Sequence, residues 1–78
     1  MESTFSGRVT SALRKNPYRD FSQFIHEAHE GRVVLKGIVS SYFEKQIVQE
    51  SLRPIEGIYE IINELEVMMR PYRVDETQ

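Results

Sequence analysis

The chain has no cysteine among its 78 residues, which removes both a disulfide framework and a thiolate metal site, the usual supports of very small folds. It has no excess of positive charge either. Ten basic residues against 12 acidic ones leave a net charge of −2, opposite in sign to the footprint that a phosphate backbone requires, so nucleic acid is not an expected partner. No apolar run approaches the roughly 18 residues needed to cross a bilayer. Met1-Glu2-Ser3-Thr4-Phe5 is not the basic-then-apolar start of an export signal. On these grounds the chain is cytoplasmic if Met1 is its natural start, and belongs to the envelope or periplasm if a signal was removed from a precursor. No serine sits in a G-x-S-x-G elbow, and Gly7, Gly31, Gly37 and Gly57 make no phosphate-cradling loop. No catalytic residue, cofactor or metal is expected, and the chain does not read as an enzyme.

At this length one domain is the economical reading, since two would leave neither with a core. Such a core supplies about 3 to 5 kcal/mol, which leaves room for stabilisation by a partner or by a homo-oligomer. Ser3 or Thr4 can cap a first helix whose apolar residues Phe5, Val9, Ala12 and Leu13 line one face. Asn16, placed before Pro17, is pushed out of the helical region and ends it. From Phe24 the period changes to two. Phe24, His26 and Ala28 alternate with Ile25, Glu27 and His29; Glu30-Gly31 supplies a turn; Val33, Leu35, Gly37 and Val39 then alternate with Val34, Lys36 and Ile38. That predicts a hairpin. Ser41 and Glu44 have capping-box spacing and open a second helix with Phe43, Ile47, Ser51 and Ile55 on its stripe, ended by Pro54 and Gly57. In a third strand, Ile61, Asn63, Leu65 and Val67 alternate with Ile62, Glu64, Glu66 and Met68. The expected architecture is α+β, in the order αββαβ, with two helices packed on one face of a mixed three-stranded sheet. The domain is expected to span 3–68, with 69–78 a disordered C-terminal tail.

Gly31-Arg32-Val33-Val34-Leu35-Lys36-Gly37-Ile38-Val39-Ser40 resembles the BON domain pattern of glycine, valine, leucine and a second glycine at alternate spacing, followed by a serine that opens a helix. Gly57-Ile58-Tyr59-Glu60-Ile61-Ile62-Asn63-Glu64-Leu65-Glu66-Val67 is similar to the family's closing signature, a Gly-Ile step, an asparagine and then Leu-x-Val. One departure is His26, where the pattern carries an aliphatic residue. The resemblance implies a module of bacterial envelope and stress proteins, including osmotic-stress proteins, that contacts phospholipid membranes or envelope components, and it brings no catalytic residues.

Two histidines and two glutamates mimic functional patterns without their geometry. His26 and His29 are three apart, not the four of a zinc-binding helix, and on a strand they face opposite ways. His29 is therefore expected in solvent and His26 partly buried with a hydrogen-bond partner. Glu64 and Glu66 share a strand face, but an open surface gives neither a reason to act as an acid. If the helices cover the face of Phe24, Leu35 and Leu65, the other face leaves Ile25, Val34, Ile38, Ile62 and Met68 as a candidate partner or lipid face. Arg8, Arg14, Lys15 and Arg19 are the candidate headgroup contacts. Gly31, Gly37, Ser41, Glu44 and Gly57 are the expected structural positions. The expected partner is membrane phospholipid or an envelope-associated protein, the alternative a structural self-association or protein-interaction domain.

Overall fold

The computed structural model describes residues 4–68; the tail expected over 69–78 lies outside them. The first helix, α1 (Phe5–Arg14), starts where Thr4 Oγ1 accepts the Gly7 N–H at 3.0 Å, and it buries Val9 and Leu13 completely. The chain then turns at Asn16, whose side-chain oxygen accepts the Tyr18 N–H at 2.7 Å.

After a short 3-10 turn over Ser22–Phe24 come β1 (Ile25–His29) and β2 (Arg32–Val39), an antiparallel hairpin. Its two-residue connection, Glu30-Gly31, has φ of 46° and 87°, as a primed hairpin turn requires at both central positions. A Cβ on Gly31 would lie 2.6 Å from the Tyr59 ring and 2.8 Å from the Gly57 carbonyl oxygen, so backbone angle and space both demand glycine there. Gly37 leaves room for the Phe24 ring, which would collide with any β-carbon at that site.

The strict alternation expected from Phe24 does not survive. Ile25 pairs with Leu35, but Glu27 pairs with Val34, so one residue too many lies between them on β1. This bulge turns Ile25 and Ala28 onto the core side, while Glu27 lies across from Val34 on the other. Ile25 is therefore not a member of the open face, and His26, expected partly buried, is exposed. Phe24 is not part of the strand; it is buried from the 3-10 turn.

The second helix, α2 (Tyr42–Glu50), begins at Ser41, whose hydroxyl accepts the Glu44 N–H at 3.0 Å. The reciprocal half of the capping box is displaced by one residue, Glu44 Oε1 accepting the Ser40 N–H at 3.0 Å and the Ser40 hydroxyl at 3.2 Å. The helix stops before the expected Pro54 and Gly57. Leu52 and Arg53 donate to the carbonyls of Gln49 and Glu50 at 3.0 and 3.1 Å, tightening the chain into turns because Pro54 has no N–H to offer and disfavours a helical Arg53. Gly57 thus belongs to a later turn, with φ 96°, and not to the helix cap. The buried stripe of α2 runs through Glu44 and Val48, with Ile47 beside it; Phe43, expected on the stripe, is 61% exposed.

The third strand, β3 (Glu60–Val67), pairs parallel with β2 from Arg32↔Glu60 to Val39↔Val67, giving the order β1-β2-β3. Two helices and a mixed three-stranded sheet in the order αββαβ are as expected. Val9 and Leu13 of α1 and Val48 of α2 pack on Val33, Leu35, Val39 and Leu65, with Phe21, Phe24 and Leu52 completing the core. Asn63 fits this covered side because its amide is bonded: Nδ2 donates to Gln49 Oε1 at 3.0 Å and to the Lys45 carbonyl at 3.3 Å, while Oδ1 accepts the Leu65 N–H at 3.1 Å.

Candidate functional site

Two exposed regions carry the residues of interest. On the uncovered side of the sheet, the register brings together Arg32, Val34, Lys36 and Ile38 of β2 with Glu60, Ile62, Glu64 and Glu66 of β3 and Glu27 of β1. Arg32 Nε lies 3.6 Å from Glu60 Oε1 and Lys36 Nζ 3.7 Å from Glu64 Oε1, each pair at directly opposed positions. Glu27 and Glu66 face no such cation, so the surface is acidic overall. Its apolar content is smaller than the alternation suggests. Val34 is only 6% exposed and Ile62 is half-buried, whereas Ile38 and Met68 are 57% and 58% exposed. The Met68 N–H donates to the Val39 carbonyl at 2.9 Å, which holds that residue beside the end of β2. Of the five expected face residues, the sheet gathers Val34, Ile62 and Ile38, brings Met68 to its end and turns Ile25 away. Lys36, Gly37, Ile38, Glu64 and Glu66 line a shallow depression at that end.

The second region is the loop after α1 together with the first turn of α2. Asn16 Nδ2 donates to Ser51 Oγ near the end of α2, and Arg19 Nη1 lies 3.1 Å from Glu44 Oε2 near its start, so the loop is fastened along the helix at both ends. The Phe21 N–H also returns to the Leu13 carbonyl at 3.0 Å. Glu44 is 3% exposed, and its carboxylate is satisfied by Ser40 and by Arg19, as a buried charge requires. The Arg19 guanidinium in turn lies 5.4 Å from the Phe21 ring centre and 5.7 Å from that of Phe24.

An aromatic series runs outward from this core. Phe24 and Phe21 stack at 6.1 Å, Phe21 and Tyr18 at 6.2 Å, and Tyr18 meets Phe43 edge-on at 5.8 Å. The outer two rings, Tyr18 and Phe43, are 55% and 61% exposed, and Tyr42 beside them is 70% exposed. Arg14 and Lys15, both exposed, close α1 just before this loop. Asp20 has its carboxyl held below its ordinary range, first by the Ser22 hydroxyl, then by the Ser22 N–H and by the charge of Arg14.

The four candidate basic residues are therefore divided. Arg14, Lys15 and Arg19 belong to the loop region. Arg8 is bound elsewhere, donating to the Glu56 carbonyl at 3.3 Å beyond the far end of α2, with its guanidinium 5.8 Å from the Phe5 ring centre. Tyr18 was not singled out in the sequence, and Phe43 was expected only on the apolar stripe of the second helix. Their signal was a run of aromatics after Pro17 (Tyr18, Phe21, Phe24) around a basic residue, but nothing local places Phe43 against Tyr18.

His29 is exposed and lies 3.6 Å from the Glu30 carboxylate. Among the described residues no three histidine, aspartate or glutamate side chains are placed to hold a metal ion, and no helix is long and apolar enough to cross a membrane. Compared with known families, the chain matches the family model described as BON domain over residues 2–69. No curated protein and no solved structure gives a significant match.

Proposed function

This chain belongs to the BON domain family, and we propose that it is a non-catalytic binding module whose ligand is an anionic phospholipid surface. The observation that carries this reading is the segregation of charge. On the open sheet face both cations, Arg32 and Lys36, are taken up by carboxylates of β3, and Glu27 and Glu66 remain. At the loop end Arg14 and Lys15 enter no ion pair among the described residues, and Arg19 keeps 43% of its side chain exposed while pairing with Glu44. A molecule with net charge −2 can thus still meet an anionic surface if it turns this end toward it. Attraction of about 1 kcal/mol per basic residue near such a surface sets a ceiling of roughly 3 kcal/mol, lowered by the Glu44 and Asp20 carboxylates beside Arg19 and Arg14, and so falls short of even millimolar affinity. Charge can orient the module; firm attachment needs apolar contact as well.

Vesicle co-sedimentation tests the reading. Phosphatidylcholine vesicles containing phosphatidylglycerol are expected to retain the protein at low salt and to release it as salt rises, and pure phosphatidylcholine to retain less. No retention by either composition removes the lipid reading. A second reading, self-association or contact with an envelope-associated protein through the sheet face, draws on the exposed Ile38 and Met68. It is the weaker for self-association, because two copies face to face would oppose their surplus carboxylates. Sedimentation equilibrium of the protein beside Ile38→Glu decides it: a dimer lost in the variant favours it, and a monomer at high concentration ends it.

A further inference from the structure

Resting on the lipid reading above, we infer that Tyr18 and Phe43 are the side chains that enter the bilayer interface, with Arg14, Lys15 and Arg19 placed on the headgroup phosphates around them. Both rings project from backbone that is already fixed. Tyr18 lies between the Asn16–Ser51 and Arg19–Glu44 fastenings, and Phe43 is in the first turn of α2. Insertion therefore orders little that is not already ordered, so more of the apolar gain remains as affinity. The pair rests on rings that are themselves buried, Phe21 at 0% and Phe24 at 5% exposure, so it cannot fold inward out of water.

The chemistry of the pair fits an interface better than a hydrocarbon core. Tyrosine joins an apolar ring to a hydroxyl and settles at headgroup depth, where Phe43 can reach the upper acyl chains; Tyr42 beside it has the same amphipathic character. Arg19 supplies the link between the two forces. One side of its guanidinium is occupied by Glu44 and two ring faces, yet its planar fork retains further N–H donors suited to a phosphate. The occupant is an anionic bilayer surface because Arg14 and Lys15, exposed and in no ion pair among the described residues, close α1 just before the loop that carries Tyr18, and Arg19, though paired with Glu44, keeps 43% of its side chain exposed. The sheet face, with Ile38 as exposed as Phe43, lacks that flanking charge.

The test compares the two ends at matched exposure. Binding to phosphatidylcholine vesicles with and without phosphatidylglycerol is measured for the protein, for Tyr18→Ser/Phe43→Ser and for Ile38→Ser, each checked for folding by circular dichroism. The expected result is binding to anionic vesicles weakened about tenfold or more in the double variant and unchanged in Ile38→Ser. Because the chain contains no tryptophan, Phe43→Trp and Ile38→Trp each provide a lone indole, and a blue shift on vesicle binding is expected for the first and not the second; this readout stands even if the double variant does not fold. If the parent protein binds while Ile38 carries the loss or the blue shift, the inference is overturned and the lipid reading stands. If the parent protein binds no vesicle, both fall together. Equal binding to neutral vesicles overturns the role given to Arg14, Lys15 and Arg19.

Discussion

The open sheet face and the loop end of α2 are both exposed, both mix apolar with charged residues, and are built on opposite plans. On the sheet face the side chains look after one another: Arg32 and Lys36 meet Glu60 and Glu64, and Val34, though on the uncovered side, is 6% exposed. At the loop end the internal bonds are spent on the Ser51 hydroxyl and on Glu44, which leaves Tyr18, Phe43, Arg14 and Lys15 turned outward. A face left bare by the helices is thus not by itself a candidate for binding. What distinguishes the loop end is apolar and basic surface that the fold fastens in place and does not use.

The comparison is sharpened first by the strand that separates the covered and uncovered sides. Leu35→Ala, on the covered side of β2 at 0% exposure, is expected to cost about 2 to 5 kcal/mol, comparable to the whole stability of so small a core, while Ile38→Ala on the other side costs well under 1 kcal/mol. Urea denaturation followed by circular dichroism reads both, and similar costs for the two would show that the sheet face is packed against something. Next in size is Glu44→Ala, which leaves the Ser40 N–H and Arg19 without their acceptor. It should cost about 1 to 3 kcal/mol and loosen the loop. Lys36→Ala, which breaks a pair on the open face with both side chains about half exposed, should cost 0 to about 1 kcal/mol. Equal losses for Glu44 and Lys36 would erase the distinction between bonds that fasten an element and bonds that decorate a surface.

The smallest effect concerns pH. Asp20 is exposed, and its carboxyl is lowered by hydrogen bonds from Ser22. A lowered folded value means that its contribution is present above the unfolded value near 3.8 and is lost as pH falls through the lower folded value. Asp20→Asn should therefore flatten the acid end of the stability–pH curve slightly and leave neutral pH almost unaltered. A change at neutral pH larger than that of Lys36→Ala would mean that the Ser22 turn matters more to the loop than its exposure indicates.

What could be read in the chain beforehand follows from how local each signal is. Ser41 as the cap of α2, Glu30 with Gly31, and the alternation of β3 depend on neighbours within a few residues, and each takes the expected place, although Glu44 returns to Ser40 and not to Ser41. The bulge at His26 escaped because a period of two presumes an unbroken ladder, and only pairing with Val34 and Leu35 reveals the extra residue. Phe43 was misplaced because helical spacing to Ile47 is compatible with two stripes, and the sheet selects the one through Glu44 and Val48. The loop end as a surface was hidden for a stronger reason: its geometry is made by Asn16 reaching Ser51 and Arg19 reaching Glu44, contacts between distant stretches that no local pattern records.

The bulge in β1 has a further effect beyond moving Ile25. With β2 in the middle, the described sheet ends on two strand edges, β1 and β3, and a regular edge is a template on which another polypeptide can stack and begin a fibril. The extra residue at His26 interrupts that template on one side, and the other edge strand carries the charged side chains of Glu60, Glu64 and Glu66, the last with no cation across from it. The same irregularity that spoils the sequence pattern thus leaves one edge of the described sheet without the regular ladder on which a further strand could stack.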